Sequence, residues 1–107
     1  MDTQQLIKDQ VTGHSVVLYM KGTPQMPQCG FSQMAVQVLQ ACGVTQLFTV
    51  NVLENPDIRQ GIKEYANWPT VPQLYVNGEF VGGSDIMREM YESGELQKVL
   101  EGVKQRA

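Results

Sequence analysis

The sequence predicts an α/β domain built on a central four-stranded mixed sheet, with helices on both faces. Residues 15–20 form an unbroken apolar run, which is typical of a strand covered on both sides. The pair Asn77-Gly78 separates two short β-rich segments, and this pattern is the strongest short-range signal for a hairpin. Apolar residues at helical spacing fill the stretches between the strands. Together these patterns indicate strands that alternate with helices before a final hairpin.

The first predicted helix begins at Asp2 or Thr3, either of which is a favourable cap. Its inward-facing apolar residues are Leu6, Ile7 and Val11. The first strand follows at residues 15–20.

A second helix is predicted from Cys29 to about Cys42, and Gly43 stops it because glycine adopts the left-handed conformation at helix ends. Residues 48–53 alternate in polarity and form the second strand. A strand, helix and strand in this order predict a parallel pair with a right-handed crossover.

The third helix is expected after Asn55, with Asn55 as its cap and Pro56 at its first position. Its inner stripe consists of Ile58, Ile62 and Tyr65 or Ala66. Residues 68–72 contain two prolines and break the helix. Strands at residues 73–76 and 79–81 then form the hairpin.

Residues 82–85 are expected to form a tight turn into a helix at residues 86–91. A last helix carries its apolar residues inward, and these are Leu96, Val99, Leu100 and Val103. The predicted order is therefore α-β-α-β-α-β-β-α-α.

Size and charge exclude several classes of protein. A chain of 107 residues with 42% hydrophobic residues is expected to form one domain over residues 1–107. Its net charge of −3 argues against nucleic-acid binding, and no apolar run approaches the roughly 20 residues of a membrane helix. Two cysteines and an amino terminus without a signal-peptide pattern predict a reducing compartment, with the cytoplasm as the default.

Cys29 is the residue with the clearest chemical role. It follows a loop rich in proline and glutamine and precedes an apolar helix, so its thiol is expected to lie exposed at a helix amino terminus. Unpaired N–H groups and the helix dipole lower the pKa of a thiol there, which makes the thiolate available as a nucleophile or metal ligand. Ser32 occupies the position of the second thiol of a C-x-x-C pair, so no local disulfide can form.

Cys42 cannot replace that missing thiol. It lies thirteen residues beyond Cys29 on the same predicted helix, a rise of about 20 Å. A disulfide needs Cα atoms within about 7 Å. Cys42 is therefore interpreted as a buried core residue.

Three further residues have open or structural interpretations. Ser32 either hydrogen-bonds the Cys29 sulfur or supports the first helical turn. Trp68 is expected to pack rather than to bind a ligand. His14 is a single histidine and therefore a poor metal site by itself.

Four motifs in register resemble the monothiol glutaredoxins, a group with a thioredoxin-like fold. They are Lys-Gly-Thr-Pro at residues 21–24, Cys-Gly-Phe-Ser at 29–32, Trp-Pro-Thr-Val-Pro at 68–72 and Gly-Gly-Ser-Asp at 82–85. The similarity covers nearly the whole chain and fits the short, single-domain bacterial form best. Ser84 departs from it, since close relatives often carry a cysteine there.

The resemblance implies a glutathione site beside Cys29. Lys21 and Arg59 would hold the glycine carboxylate, and the backbone of Val71, exposed by a cis Pro72, would pair with the peptide. Gly83, Ser84 and Asp85 would bind the γ-glutamyl end. The amino end of a helix suits its carboxylate, and the side chain of Asp85 suits its ammonium.

The resemblance also implies a 2Fe–2S cluster that bridges a homodimer, with Cys29 of each chain and two glutathione thiolates as the four ligands. This role implies acceptor apo iron–sulfur proteins and a BolA-like protein as partners. Two alternatives remain open. One is a glutathione-dependent thiol–disulfide oxidoreductase with Cys29 as the catalytic nucleophile, of weak activity at most, and the other is a regulatory module paired with the BolA-like protein.

Overall fold

The computed structural model describes the backbone of residues 2–106 and the side chains of residues 2–103. Within that range the strands are β1 (Val16–Met20), β2 (Phe48–Asn51), β3 (Gln73–Val76) and β4 (Glu79–Gly82). The helices are α1 (Thr3–Gly13), α2 (Gly30–Ala41), α3 (Pro56–Tyr65), α4 (Ser84–Ser93) and α5 (Glu95–Arg106). The predicted order of the elements is confirmed.

The strands form one mixed sheet in the order β2-β1-β3-β4. β1 pairs in parallel with β2 and antiparallel with β3, and β3 pairs antiparallel with β4. All five residues of β1 are buried, as the unbroken apolar run predicted, because β1 is central and both of its faces are covered. At the hairpin tip Asn77 and Gly78 have φ angles of +53° and +83°, the positive values that a two-residue hairpin turn requires.

Successive side chains of β1 enter two separate cores, because side chains alternate across a strand. Val16, Leu18 and Met20 pack with apolar residues of α2, α4 and α5. Val17 and Tyr19 pack on the other face with α1 and α3. Helices therefore cover both faces, as predicted, and a thioredoxin-like α/β fold results.

Two predicted helix ends are confirmed by hydrogen bonds. The Asp2 side chain accepts from the Gln5 N–H at 2.7 Å and so caps α1. Gly43 follows α2 with a φ of +81°, which allows the Val44 N–H to return to the Leu39 carbonyl at 3.1 Å.

The second strand is shorter than predicted, because Asn51 ends it. The Asn51 Oδ1 accepts from the Leu53 N–H at 3.0 Å, and the Asn51 carbonyl accepts from the Glu54 N–H at 3.2 Å. These bonds fold the chain into a turn. Asn55 occupies the predicted cap position of α3, but its side chain donates to the Asn51 carbonyl at 2.9 Å and makes no capping bond.

Two residues predicted to face inward are partly exposed. Leu6 is 38% exposed and Val99 is 37% exposed. In each helix a pair four residues apart takes the inward position, Ile7 with Val11 and Leu96 with Leu100. The adjacent residue is rotated away by about 100° on the helix.

The fourth helix begins earlier than predicted, at Ser84. The carbonyl of Gly83 already accepts the Met87 N–H at 2.9 Å, so Gly83 is the cap and Ser84 and Asp85 belong to the first turn.

Replacing Leu39, which is fully buried between α2 and the sheet, with alanine should destabilise the fold strongly. Leu39→Ala is expected to lower the free energy of unfolding by about 2 to 5 kcal/mol in urea titrations. The matched change Leu6→Ala, at a partly exposed site, should cost less than about 1 kcal/mol. Equal costs for the two variants would contradict the assignment of the core.

Candidate functional site

A cavity of about 380 Å³ opens where the carboxyl end of β1 meets the amino ends of α2 and α4. Its lining residues are Lys21, Cys29, Phe31, Arg59, Lys63, Pro69, Thr70, Val71, Pro72, Ser84 and Asp85. We call this cavity the Cys29 pocket. It brings together every residue predicted for the site except Gly83, which lies buried immediately before Ser84.

Cys29 is the N-cap residue of α2, as predicted from the loop and helix pattern. Its backbone is extended, with φ −157° and ψ 138°, and its carbonyl accepts the first bond of the helix from the Gln33 N–H at 2.9 Å. The side chain is half-buried at the pocket wall. The thiol thus lies beside N–H groups that have no partner within the helix.

This position lowers the pKa of the Cys29 thiol below its ordinary value. The largest cause is the backbone N–H of Ser32, although the sulfur makes no capping hydrogen bond of ordinary geometry. Partial burial opposes the shift, while the Phe31 N–H, the charge of Lys21 and the Ser32 hydroxyl add to it. The thiolate is therefore favoured by the turn that follows it.

Ser32 has both of the roles between which the sequence left a choice. Its hydroxyl contributes to lowering the pKa of Cys29. Its Oγ also accepts a hydrogen bond from the Lys21 N–H at 3.0 Å, and the side chain is fully buried. Ser32 therefore ties the end of β1 to the first turn of α2.

The loop before Cys29 is closed by its own backbone hydrogen bonds. The Gln28 N–H donates to the Lys21 carbonyl at 2.9 Å, and Thr23 and Met26 exchange backbone bonds at 3.0 and 3.2 Å. Gly22 has a φ of +89°, and a Cβ atom there would lie 2.5 Å from the Met26 carbonyl oxygen. Glycine is required at this position for both reasons.

Asn51 supports the same loop, and the sequence analysis missed this role. Its Oδ1 accepts from the Gly22 N–H at 2.9 Å as well as from Leu53. A polar residue at the end of an apolar strand was the available signal, but it does not reveal which backbone groups the side chain reaches.

The Val71–Pro72 peptide bond is cis, as expected from the resemblance. Trp68 packs against Phe80 with ring centroids 5.5 Å apart, which agrees with the expected packing role. A Cβ atom on Gly83 would lie 3.2 Å from the Trp68 Nε1 and 3.3 Å from the Pro72 carbonyl oxygen. This close approach favours glycine at position 83.

The pocket wall carries three cationic side chains and one carboxylate. Lys21 and Arg59 were predicted, and Lys63 joins them four residues after Arg59 on the same face of α3. Asp85 also lines the pocket, from the first turn of α4. Such a pocket favours an anionic ligand that also carries a positive group. Lys63, Thr70 and Phe31 were missed, although the spacing of Arg59 and Lys63 was a usable signal.

Cys42 lies in the core at the carboxyl end of α2, 5% exposed, as predicted. Neither cysteine of the chain forms a disulfide in the structure. Among the residues that the structure describes, no group of three or more His, Cys, Asp or Glu side chains could hold a metal ion. None of the helices described is long and apolar enough to cross a membrane.

A second cavity of about 400 Å³ lies at the far end of β1, between residues 13–15 and the loop after α2. His14 lines it and stacks on Phe48 with ring centroids 3.9 Å apart. No thiol or cationic Lys or Arg side chain is among its lining residues, so the chemistry concentrates in the Cys29 pocket.

The lowered pKa predicts that Cys29 reacts with iodoacetamide at lower pH than the same thiol in the unfolded chain. The thiolate is the reactive form, and its fraction rises with pH. The pH at the midpoint of the rate profile should therefore be lower for the folded protein. Ser32→Ala should move this midpoint upward but not to the unfolded value, because the backbone N–H of residue 32 remains. Equal midpoints for folded and unfolded wild-type chains, with Cys29→Ser as the labelling control, would contradict this origin of the reactivity.

Comparisons with known proteins place this geometry in a family. The glutaredoxin family model matches residues 16–81. The chain is 58% identical over 100 residues to an uncharacterized monothiol glutaredoxin of Synechocystis sp., covering 94% of this chain and 92% of that protein. It is 51% identical over 106 residues to glutaredoxin 4 of Buchnera aphidicola, with 99% and 97% covered.

A solved structure agrees with these relatives. The solution structure of reduced poplar apo GrxS14 superposes with a TM-score of 0.80 at 54% identity, covering 92% of this chain and 90% of that one. The family match spans more than half of the chain, and the Synechocystis relative is named a monothiol glutaredoxin. The chain therefore belongs to the glutaredoxin family, as a monothiol glutaredoxin.

Proposed function

We propose that this glutaredoxin binds glutathione in the Cys29 pocket and holds a 2Fe–2S cluster that bridges two copies of the chain. The observation that supports this most directly is an activated thiol with no second thiol among the residues that line its pocket. A sulfur of this kind needs an outside thiol to complete either a disulfide or a ligand set.

The charges of the pocket match the charges of glutathione. Lys21 and Arg59 would hold its glycine carboxylate, with Lys63 as a further cation in the same pocket. The backbone N–H groups at the start of α4, at Ser84 and Asp85, would receive the γ-glutamyl carboxylate. The Asp85 side chain would pair with the ammonium group. Between these ends, the Val71 backbone beside the cis Pro72 would pair with the cysteinyl part.

The available sulfur ligands fit a cluster only if two chains share it. A 2Fe–2S cluster normally takes four thiolates. In the part of the chain that the structure describes, Cys29 is the thiol at a pocket, and Cys42 lies in the core. Two chains and two glutathione molecules would supply four sulfur ligands. Because glutathione is not covalently attached to the chain, a cluster that it ligates can be released to another protein. We therefore infer a role in cluster storage, transfer and assembly in the cytoplasm. Apo iron–sulfur proteins would be the acceptors.

A second candidate function rests on the lowered pKa of Cys29. The Cys29 thiolate would attack the glutathionyl sulfur of a mixed disulfide, forming a Cys29–glutathione disulfide and releasing the substrate thiolate. A free glutathione thiolate would then attack this disulfide, yielding glutathione disulfide and restoring the Cys29 thiolate. Ser32 cannot resolve the intermediate because it has no sulfur. A pairing with a BolA-like protein stays a proposal from the resemblance alone.

Anaerobic reconstitution with iron, sulfide and glutathione tests the carrier function. The wild-type chain should show visible absorption bands and sediment as a dimer, and both should be lost in Cys29→Ser. The matched variant Cys42→Ser should keep the bands and lose only some stability, because Cys42 lies in the core. A coloured, cluster-loaded Cys29→Ser protein would refute the ligand assignment.

The same preparation separates the two candidate functions. If metal-free protein rapidly reduces a glutathionylated peptide and the reconstituted protein passes no cluster to an apo acceptor, the oxidoreductase is the better description. Cluster transfer with slow turnover would support the carrier.

A further inference from the structure

Gln73, the first residue of β3, has a side chain with no exposed surface. It directly follows Pro72, at the edge of the Cys29 pocket, but does not line the pocket. A buried amide must find hydrogen-bond partners, because an unpaired polar group in the interior is costly. Its partners therefore indicate why glutamine stands there.

The amide of Gln73 bonds mainly to the loop at residues 68–72. Its Nε2 donates to the Trp68 carbonyl at 3.0 Å and to the Thr70 carbonyl at 3.3 Å. The Thr70 carbonyl belongs to the peptide group that joins Thr70 to Val71. The bond to it therefore fixes the orientation of the peptide whose N–H is that of Val71.

The other end of the amide rests on the core. The Gln73 Oε1 accepts from the Tyr75 hydroxyl at 2.9 Å. The Tyr75 ring is buried among aromatic rings, with centroids 5.4 Å from Phe80, 5.7 Å from Tyr19 and 6.0 Å from Tyr65. Both amide donors and the amide acceptor are thus used, and the loop is held by a residue whose own backbone belongs to β3.

We propose that Gln73 is a positioning residue for glutathione: its amide holds the residue 68–72 loop so that Thr70 and the Val71 backbone present a preformed edge to the ligand. This inference rests on the proposed function. Gln73 would raise the affinity for glutathione without contacting it. A loop that is already ordered loses less conformational entropy when the ligand binds.

Gln73→Met keeps the approximate length of the side chain and removes both donors. Glutathione titrations of the metal-free protein, followed by NMR, should give a dissociation constant at least tenfold higher than that of wild type. Gln73→Glu keeps the shape and the acceptor for Tyr75 but places a carboxylate oxygen against two carbonyl oxygens, and a similar loss is expected.

Tyr75→Phe is the matched control. It removes the third hydrogen bond of the same amide and leaves both bonds to the loop, so its free energy of unfolding should fall while its glutathione affinity changes less than threefold. Trp68 is the only tryptophan of the chain, so the tryptophan fluorescence comes from a residue of this loop. Its emission should shift to longer wavelength in both Gln73 variants and stay near the wild-type value in Tyr75→Phe.

The outcomes separate the inference from the function on which it rests. Wild-type affinity in either Gln73 variant would overturn the positioning role and leave glutathione binding intact. The positioning role would also be overturned if Tyr75→Phe lost as much glutathione affinity as Gln73→Met. The loss of affinity would then reflect the lower stability of the fold rather than the bonds to the loop. No binding of glutathione by the wild-type chain would overturn the proposed function and the positioning role together.

Discussion

The hydrogen bonds that hold Lys21 and Gly22 at the end of β1 are the constraint on which the site depends. The Lys21 N–H donates to Ser32, the Lys21 carbonyl accepts from Gln28, and the Gly22 N–H donates to Asn51. These three bonds join the strand, the loop, the helix that bears Cys29 and the end of β2. They fix the direction in which the chain leaves the sheet and, with it, the place of the thiol and of the Lys21 charge.

A second segment that lines the Cys29 pocket, the loop at residues 68–72, is supported in a similar way. The Gln73 amide donates two hydrogen bonds to the loop at residues 68–72, much as Ser32 and Asn51 accept hydrogen bonds from the loop at residues 21–28. In each case a polar side chain from a regular element forms partly buried hydrogen bonds with backbone groups of an irregular segment. These hydrogen bonds hold the segments that line the pocket, which contains three cationic side chains, the Cys29 thiol and the amino end of α4.

Much of this could be predicted from the sequence, because it rests on local chemistry. The apolar run of β1, the Asn77-Gly78 turn and the Cys29 helix start each depend on a few neighbouring residues, and the structure agrees with them. The wrong predictions concern features that depend on tertiary packing or on local side-chain bonds to the backbone. Leu6 and Val99 lie at the border of an apolar stripe, and their exposure depends on which neighbour reaches the sheet. The early end of β2 depends on a side chain folding back on its own backbone.

The supporting residues were harder to find than the lining ones. Lys21, Arg59 and Ser84 lie in motifs whose resemblance to a family places them together, and the fold does bring them to one pocket. Ser32, Asn51 and Gln73 support the loops through bonds to backbone groups, and nearly every residue offers the same groups, so nothing in the sequence marks which one is reached. Only the three-dimensional arrangement shows which backbone groups these polar side chains reach.

Cys29 has no thiol partner within its own chain, and we propose that glutathione is its partner. Mixing metal-free protein with equal concentrations of glutathione disulfide and hydroxyethyl disulfide, followed by intact-mass and peptide analysis, tests this pairing most directly. We expect one adduct per chain, at Cys29, with a clear preference for the glutathionyl group over the uncharged hydroxyethyl group. A disulfide between Cys29 and Cys42, or no preference between the two reagents, would contradict the account.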